Sequence, residues 1–315
     1  MGEFELIRMY FKPLADRANR DQLPLGPGDD CAIQRLEPGH DLVFSVDTLV
    51  EGVHFPVGYE PEKLGWRALA VAVSDLAAMG AEPACFTLAL TLPDADAGWL
   101  AGFASGLSRA GQAFGIALAG GDTTRGPLTI SVQVHGLVAR SAEIRRSGAR
   151  SGDFVCVSGT LGAAGAALDY LSEPAPGPDQ LAVLSRYHFP EPRLALGQSL
   201  VGLASAAIDI SDGLLADLTH LLEASGVGAD IDVEKVPLMP ELVVLKGDDA
   251  RRLALTSGDD YELCVTMAPK IYEALCEDVR RELTVIGVIT PEPGLRLAGC
   301  VPDAAPGYDH FGRLA

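Results

Sequence analysis

The sequence predicts an α+β protein of two domains, and three observations carry that prediction. Its 315 residues, 48% of them apolar, suffice for two separate cores. Strand-like and helix-like patterns occur in similar proportion in both halves. Between the halves, the stretch ARSAEIRRSGARSGD, around residues 139–152, is polar, basic and glycine-containing, unlike either flank. One domain is therefore expected over residues 1–138 and a second over residues 139–315. No strict internal repeat is visible.

In chain order, residues 3–18 predict a first helix, followed by a loop rich in Pro and Gly. CAIQRL and DLVFSVDTLV read as two short strands, with Asp47 where the second one ends. PEKLGWRALAVAVSDLAAMG reads as a long helix, with Pro61 in its first turn and Gly80 as its stop. It is apolar nearly all round and should be buried. ACFTLALTL is a buried strand, and DADAGWLAGFASGLSRAGQAFG a helix opened by acidic residues and closed by Gly115. IALAGGD is a strand running into a glycine turn, and LTISVQVHGLV is another strand. The second half opens with the strand DFVCVSG and the glycine–alanine helix LGAAGAALDYL. After the loop SEPAPGPD come two helical patterns, the strand AAIDI, the helix DGLLADLTHLLEASG, the strand ADIDV and a polar loop. SGDDYELCVTM, a helix from Pro269 to about Glu282 and the strand LTVIGVI complete the body.

A formal charge of −19 argues against nucleic acid as a partner, because such binding needs basic patches. It also repels anionic substrates unless cations intervene. The 6 cysteines are scattered without a CxxC pair and read as reduced core residues, which places the protein in the cytoplasm. The start, MGEFELIRMYF, reads as an amphipathic helix rather than a signal peptide. No apolar run is long enough to span a membrane. GxxxxGK[ST], GxSxG and HExxH are absent, and the dispersed His residues do not make a zinc set.

What remains is a set of carboxylates in apolar or glycine-rich surroundings. Asp29 and Asp30 lie in GPGDDCA, Asp47 in SVDTL, Asp75 in VSDLAAMG, Asp122 in GGDTTRG, and Asp209 and Asp212 in IDISDGL. A carboxylate in such a place is costly unless it is paired, hydrogen-bonded or bound to a metal. Singly, each has a plain structural alternative. Asp75 fits an internal cap, Asp122 an ordinary turn, and Ser211 or Asp212 a helix N-cap. Together they offer hard oxygen ligands at element ends, the type that Mg²⁺ takes alongside phosphates.

GDDCA, SVDTLVEGVHF, VSDLAAMGAEP, GGDTTRGPL, RRSGARSGD, IDISDGL, SGDDYEL and GYDHF occur in this order along nearly the whole chain. In them the sequence resembles the thiamine-monophosphate kinases. These belong to the superfamily of aminoimidazole ribonucleotide synthetase, selenophosphate synthetase and a hydrogenase maturation factor. The resemblance implies that fold, with an N-terminal sheet domain pairing across a homodimer and a C-terminal α+β domain. It implies ATP-dependent phosphorylation of thiamine phosphate to thiamine diphosphate, with several Mg²⁺ ions. By the same resemblance, Asp30, Ser45, Asp47, Asp75, Asp122, Asp209 and Asp212 are Mg²⁺ ligands, and Val46 offers its backbone carbonyl. Gly121, Asp122, Arg146 and Ser211 are nucleotide contacts. His54, Asp259 and Phe311 are substrate contacts, with Tyr308 a second candidate for the aromatic one. Relatives often carry Glu where this chain has Asp259, which shortens the reach but keeps the charge. Arg146 also fits a solvated loop residue. Two rivals stand beside this reading: another ATP-using member of the superfamily, and a catalytically idle nucleotide-binding protein.

Overall fold

The computed structural model describes residues 3–15, 21–27, 29–299 and 307. The chain divides into two compact units, Met1–Leu76 with Ala81–Glu143, and Ala77–Gly80 with Ile144–Ala315.

In the first unit, helical turns α1 (Glu3–Leu6) and α2 (Lys12–Ala15) flank a π turn at Ile7–Phe11. Residues 16–18 of the expected first helix lie outside the described residues. Then follow β1 (His40–Val50), α3 (Pro61–Ala78, its last residues counted with the second unit), β2 (Glu82–Leu92), α4 (Ala97–Phe114), β3 (Ala117–Arg125) and β4 (Thr129–Ala139). The sheet runs β1–β4–β2–β3, with β2 and β3 parallel and the other neighbours antiparallel. α3 has the all-round apolar character its sequence requires: Leu64, Leu69, Val73 and Leu76 are at most 1% exposed. α4 starts where Asp96 accepts the Trp99 N–H at 2.6 Å and stops at the left-handed Gly115. Along β4 the alternation is plain. Ile130, Val132 and Val134 are buried, whereas Ser131, Gln133 and His135 point to the other face and are only half-buried. That second face also carries Phe44 and Val46 of β1, 66% and 62% exposed.

The structure departs from three local expectations. CAIQRL is not a strand; Ile33 makes only an isolated bridge to Leu25. Asp47 is not at a strand end but within β1, opposite Val132. Gly120 and Gly121 do not end β3, which continues to Arg125 because Asp122–Arg125 find partners along β2. Cross-strand pairing overrides local turn preference in that case.

The second unit contains β5 (Phe154–Ser158), α5 (Ala163–Ala167), α6 (Pro178–His188), α7 (Leu194–Ser199), β6 (Ala206–Asp209), α8 (Leu214–Ser225) and β7 (Gly228–Asp232). It continues with α9 (Pro240–Lys246), α10 (Asp249–Thr256), β8 (Leu263–Met267), α11 (Pro269–Ala274), α12 (Glu277–Arg281), β9 (Leu283–Thr290) and β10 (Gly294–Ala298). Its sheet runs β10–β7–β9–β5–β8–β6, antiparallel except between β10 and β7. Both faces are covered, which explains why DFVCVSG is apolar throughout rather than alternating. Val155 and Val157 join Leu218, Leu221 and Ile231 in one core; Cys156 joins Leu263, Val265 and Met267 in the other.

The stretch read as a polar loop after ADIDV holds two short helices, α9 and α10. In α10, Ala250, Ala254 and Leu255 are buried while Asp249 is exposed and Arg252 half-buried. Packing of that stripe, not propensity, makes such a helix. The expected helix from Pro269 to Glu282 is broken at Leu275 into α11 and α12. Within SGDDYELCVTM only Leu263–Met267 is strand. Cys85, Cys156 and Cys264 are buried free thiols, but Cys31 and Cys276 are exposed rather than in a core. Burial pushes the Cys85 and Cys156 thiols up, to about 11 and about 12. Among the described residues no helix is long and apolar enough to cross a membrane.

Candidate active site

In the first unit the structure brings Ser45, Asp47 and Asp75 together. β1 points Ser45 and Asp47 to the same face, and α3 presents Asp75 against them. The Ser45 hydroxyl donates to Asp75 Oδ2. Burial, reinforced by the charge of Asp75, pushes the Asp47 carboxyl up to about 7. Val46 turns its side chain to the opposite, open face, which leaves its backbone for any ligand role. Asp30 is exposed in its loop, with its N–H donating to Asp29 Oδ1 at 2.9 Å. His54 follows β1 in a turn where Nδ1 accepts the Val50 N–H at 2.9 Å. That bond fixes the neutral ring as the tautomer with its proton on Nε2.

Asp122 is not part of this group within the unit. Its row across the sheet is Thr48–Ser131–Ala89–Asp122, on the open face. The Thr48–Ser131 hydroxyl contact at 2.8 Å confirms that this row shares one side. Asp122 therefore lies three strand spacings from β1, roughly 14 Å, and faces away from Asp47. Gly121 has a cause within the sheet: a Cβ there would sit 2.0 Å from the Leu88 carbonyl oxygen.

In the second unit β6 ends at Asp209, which is 4% exposed. The chain then turns through Ser211 and Asp212 into α8. Neither is the helix N-cap, since that position is Gly213, whose φ of 118° suits glycine. Asp217, one turn into α8 and 3% exposed, reaches back to the turn instead. Its Oδ2 receives the N–H groups of Ser211, Asp212 and Gly213 at 3.0, 3.0 and 3.1 Å. Burial pushes the Asp217 carboxyl up to about 6, against the pull of those donors.

The segment Ser257–Glu262 lies alongside this turn. Asp259 N donates to the Ser211 carbonyl and Tyr261 N to the Ile210 carbonyl, both at 2.8 Å. Asp259 and Tyr261 are left-handed, with φ of 71° and 52°. Each such non-glycine residue costs on the order of 1 kcal/mol and persists only where surroundings hold it. Here the Tyr261 hydroxyl donates to Asp259 Oδ1 at 2.9 Å. Asp260 accepts the Gly162 N–H at 2.8 Å, and burial drives its carboxyl well above the usual range. Buried Glu262 accepts from Arg193 Nε at 2.6 Å and Ser158 Oγ at 2.5 Å. Arg146 is exposed on a loop tied down by Ser225, whose hydroxyl donates to the Arg146 carbonyl at 3.0 Å. Ser225 Oγ in turn accepts the Gly148 and Ala149 N–H groups at 3.2 Å. Phe311 and Tyr308 lie outside the described residues.

Sequence reading missed Asp217, Arg193 and Glu262. Asp217 looked like a polar position on an amphipathic helix, and nothing in the local pattern pairs Arg193 with a residue 69 positions away. Among the described residues no group of three or more His, Cys, Asp or Glu is close enough to hold a metal ion. The Asp47–Asp75 pair with the Ser45 hydroxyl nonetheless suits Mg²⁺. That ion takes one or two carboxylates and completes its shell with water and phosphate oxygens. A divalent charge would also offset the burial and the Asp75 repulsion that together raise Asp47.

Both units match one class of protein. Residues 28–138 match the AIR synthase related protein N-terminal domain, and residues 150–299 match the corresponding C-terminal domain. The chain is thus a two-domain α+β protein of the AIR synthase type. It is 42% identical over 325 aligned residues to the thiamine-monophosphate kinase of Escherichia coli K12, covering 98% of each chain. The crystal structure of thiamine-monophosphate kinase from Stenotrophomonas maltophilia superposes with a TM-score of 0.84 at 44% identity, covering 89% of this chain and 92% of that one. A structure described as AaThiL complexed with AMPPCP and TMP has a TM-score of 0.81 at 33% identity, covering 98% and 97%. The chain belongs to the thiamine-monophosphate kinase family.

Proposed function

We propose that this enzyme transfers the γ-phosphoryl group of ATP to thiamine phosphate, giving thiamine diphosphate and ADP. One observation carries the reading: a relative that covers 98% of this chain is described as complexed with an ATP analogue and TMP. Phosphoryl transfer asks mainly for positioning and charge neutralisation, and the acceptor is itself an ionised phosphate that needs no strong base. No covalent enzyme intermediate is required: a phosphate oxygen attacks, and ADP leaves. When bound, Mg²⁺ would neutralise phosphate charge and clamp the attacking and leaving oxygens.

The chain's own residues then divide the work. Asp30, Ser45, Asp47, Asp75, Asp122, Asp209 and Asp212, with the Val46 carbonyl, hold metal. Ser211, Gly121, Asp122 and Arg146 contact the nucleotide, Arg146 through a forked guanidinium. His54, Asp259 and Phe311 contact thiamine phosphate, with the Asp259 charge facing the cationic ring. Residues 1–138 form the ATP- and Mg-binding and dimerisation domain, and residues 139–315 the C-terminal domain. Homodimerisation through the open sheet face is supported by the exposure of Phe44 and Val46 there. A cytoplasmic setting is supported by exposed Cys31 and Cys276, thiols that stay reduced in that compartment.

The test is product analysis. With ATP, Mg²⁺ and thiamine phosphate, ADP and thiamine diphosphate should appear in equal amounts, and free thiamine should be a poor acceptor. ATP consumption without thiamine diphosphate would refute the assignment and favour another ATP-using member of the superfamily. No ATP consumption would favour the idle nucleotide binder.

A further inference from the structure

The turn between β6 and α8 carries Ser211 and Asp212, and its shape is set from behind. The buried Asp217 carboxylate draws three consecutive backbone N–H groups onto one oxygen. Those three donors are turned onto Asp217, while the Ser211 and Asp212 side chains are half-buried rather than enclosed. Gly213 supplies no side chain to the turn or to the helix start, and Asp217 serves the turn that precedes the helix rather than capping it. On the turn's far flank the Ser211 carbonyl is taken by Asp259 N and the Ile210 carbonyl by Tyr261 N. The turn is thus gripped on both sides, and one carboxylate makes one of the two grips.

We propose that Asp217 is a positioning residue for the nucleotide site. It never touches substrate; it fixes the Ser211–Gly213 backbone so that the Ser211 hydroxyl and Asp212 carboxylate meet a metal-bound nucleotide. Its negative charge behind Asp212 further favours a cation there. This inference rests on the reading of Ser211 and Asp212 as nucleotide and metal contacts. Outer partners of this kind typically change metal affinity or activity by 10–100-fold when substituted.

The experiment compares wild type with Asp217→Asn, which keeps shape and one acceptor oxygen but loses the charge. Binding of AMPPCP with Mg²⁺ is measured by calorimetry, beside KM for each substrate and a thermal melt. The expected result is nucleotide binding weaker by about 10-fold, with KM for thiamine phosphate unchanged and melting close to wild type. In an Asp212→Asn background the further loss from Asp217→Asn should shrink, because the group being positioned is already impaired. Unchanged nucleotide binding overturns the proposal, as does an equal rise in both KM values. A variant that does not fold also overturns it, since the carboxylate then serves the fold rather than the site. If wild type binds AMPPCP but does not phosphorylate thiamine phosphate, the proposed function falls, while the comparison of nucleotide affinities still decides the part of Asp217. A wild type that binds no nucleotide overturns both.

Discussion

Ser45 on β1 donates its hydroxyl to Asp75 on α3, which ties a sheet strand to a buried helix at the point where Asp47 also arrives. The bond orients Asp75, and two carboxyl groups share a partly buried space. Substituting Asp75→Asn removes one charge. The expected outcome is a metal-free protein at least as stable as wild type at neutral pH, with a half-saturating Mg²⁺ concentration raised on the order of 10-fold. Melts in chelator and an activity titration with Mg²⁺ check the two halves. Loss of stability with an unchanged Mg²⁺ requirement would give the pair a purely structural role.

Asp47 sets a pH dependence. Its carboxyl is raised from 3.8 to about 7 in the folded protein, so the native state holds this proton more tightly than the unfolded chain does. The associated stability is fully present below 3.8 and is lost as pH rises towards 7. Metal-free wild type should therefore melt progressively lower across this interval than Asp47→Asn does, relative to their values at acid pH. Adding Mg²⁺ should flatten the wild-type profile. Parallel profiles for the two proteins in chelator would show that Asp47 is already ionised throughout.

Arg193 and Glu262 form a largely buried ion pair, with side chains 23% and 4% exposed. Removing one partner leaves the other charge stranded. Arg193→Ala should destabilise by about 3 kcal/mol in urea denaturation, the low end for buried pairs because Arg193 keeps some solvent contact. Pairing Arg193→Met with Glu262→Gln removes both charges and keeps an acceptor for Ser158, so the double variant should be milder. A loss below about 1 kcal/mol for Arg193→Ala would class the pair with surface salt bridges.

Asp212 separates two roles. Since Gly213 is the N-cap of α8, Asp212→Asn should leave thermal melting near wild type. In its proposed role as a Mg²⁺ ligand beside the transferring phosphoryl, loss of this carboxylate should lower kcat by at least about 10²-fold. High Mg²⁺ should restore part of that loss by refilling a weakened site. Measuring kcat against Mg²⁺ for both proteins decides it; values within a few-fold at every concentration would remove Asp212 from the site.

Much of the fold was legible because its signals are local. The run from Pro61 to Ala78 is too apolar to be anything but a buried helix, and Gly115 ends α4 by the backbone freedom that only glycine has at such a φ. α9 and α10 escaped because helices of 7 and 8 residues leave little periodicity to detect. Their stability comes from burying Leu242, Ala250 and Leu255 against the rest of the unit. The candidate carboxylates were legible for a different reason: a charge in an apolar run is expensive and must have a purpose.

By itself, the sequence determined the family, the two-domain α+β plan and the identity of the carboxylates, since motif order and composition are properties of the chain. Only the tertiary structure decided which of them meet within each unit. β1 and α3 bring Asp47 to Asp75, the β2–β3 register turns Asp122 to the other face, and the β6–α8 turn is held by Asp217 from one turn into the helix. The physical reason is that hydrogen bonds and Coulomb forces act over a few ångströms, while the groups they join lie tens of residues apart until the chain packs.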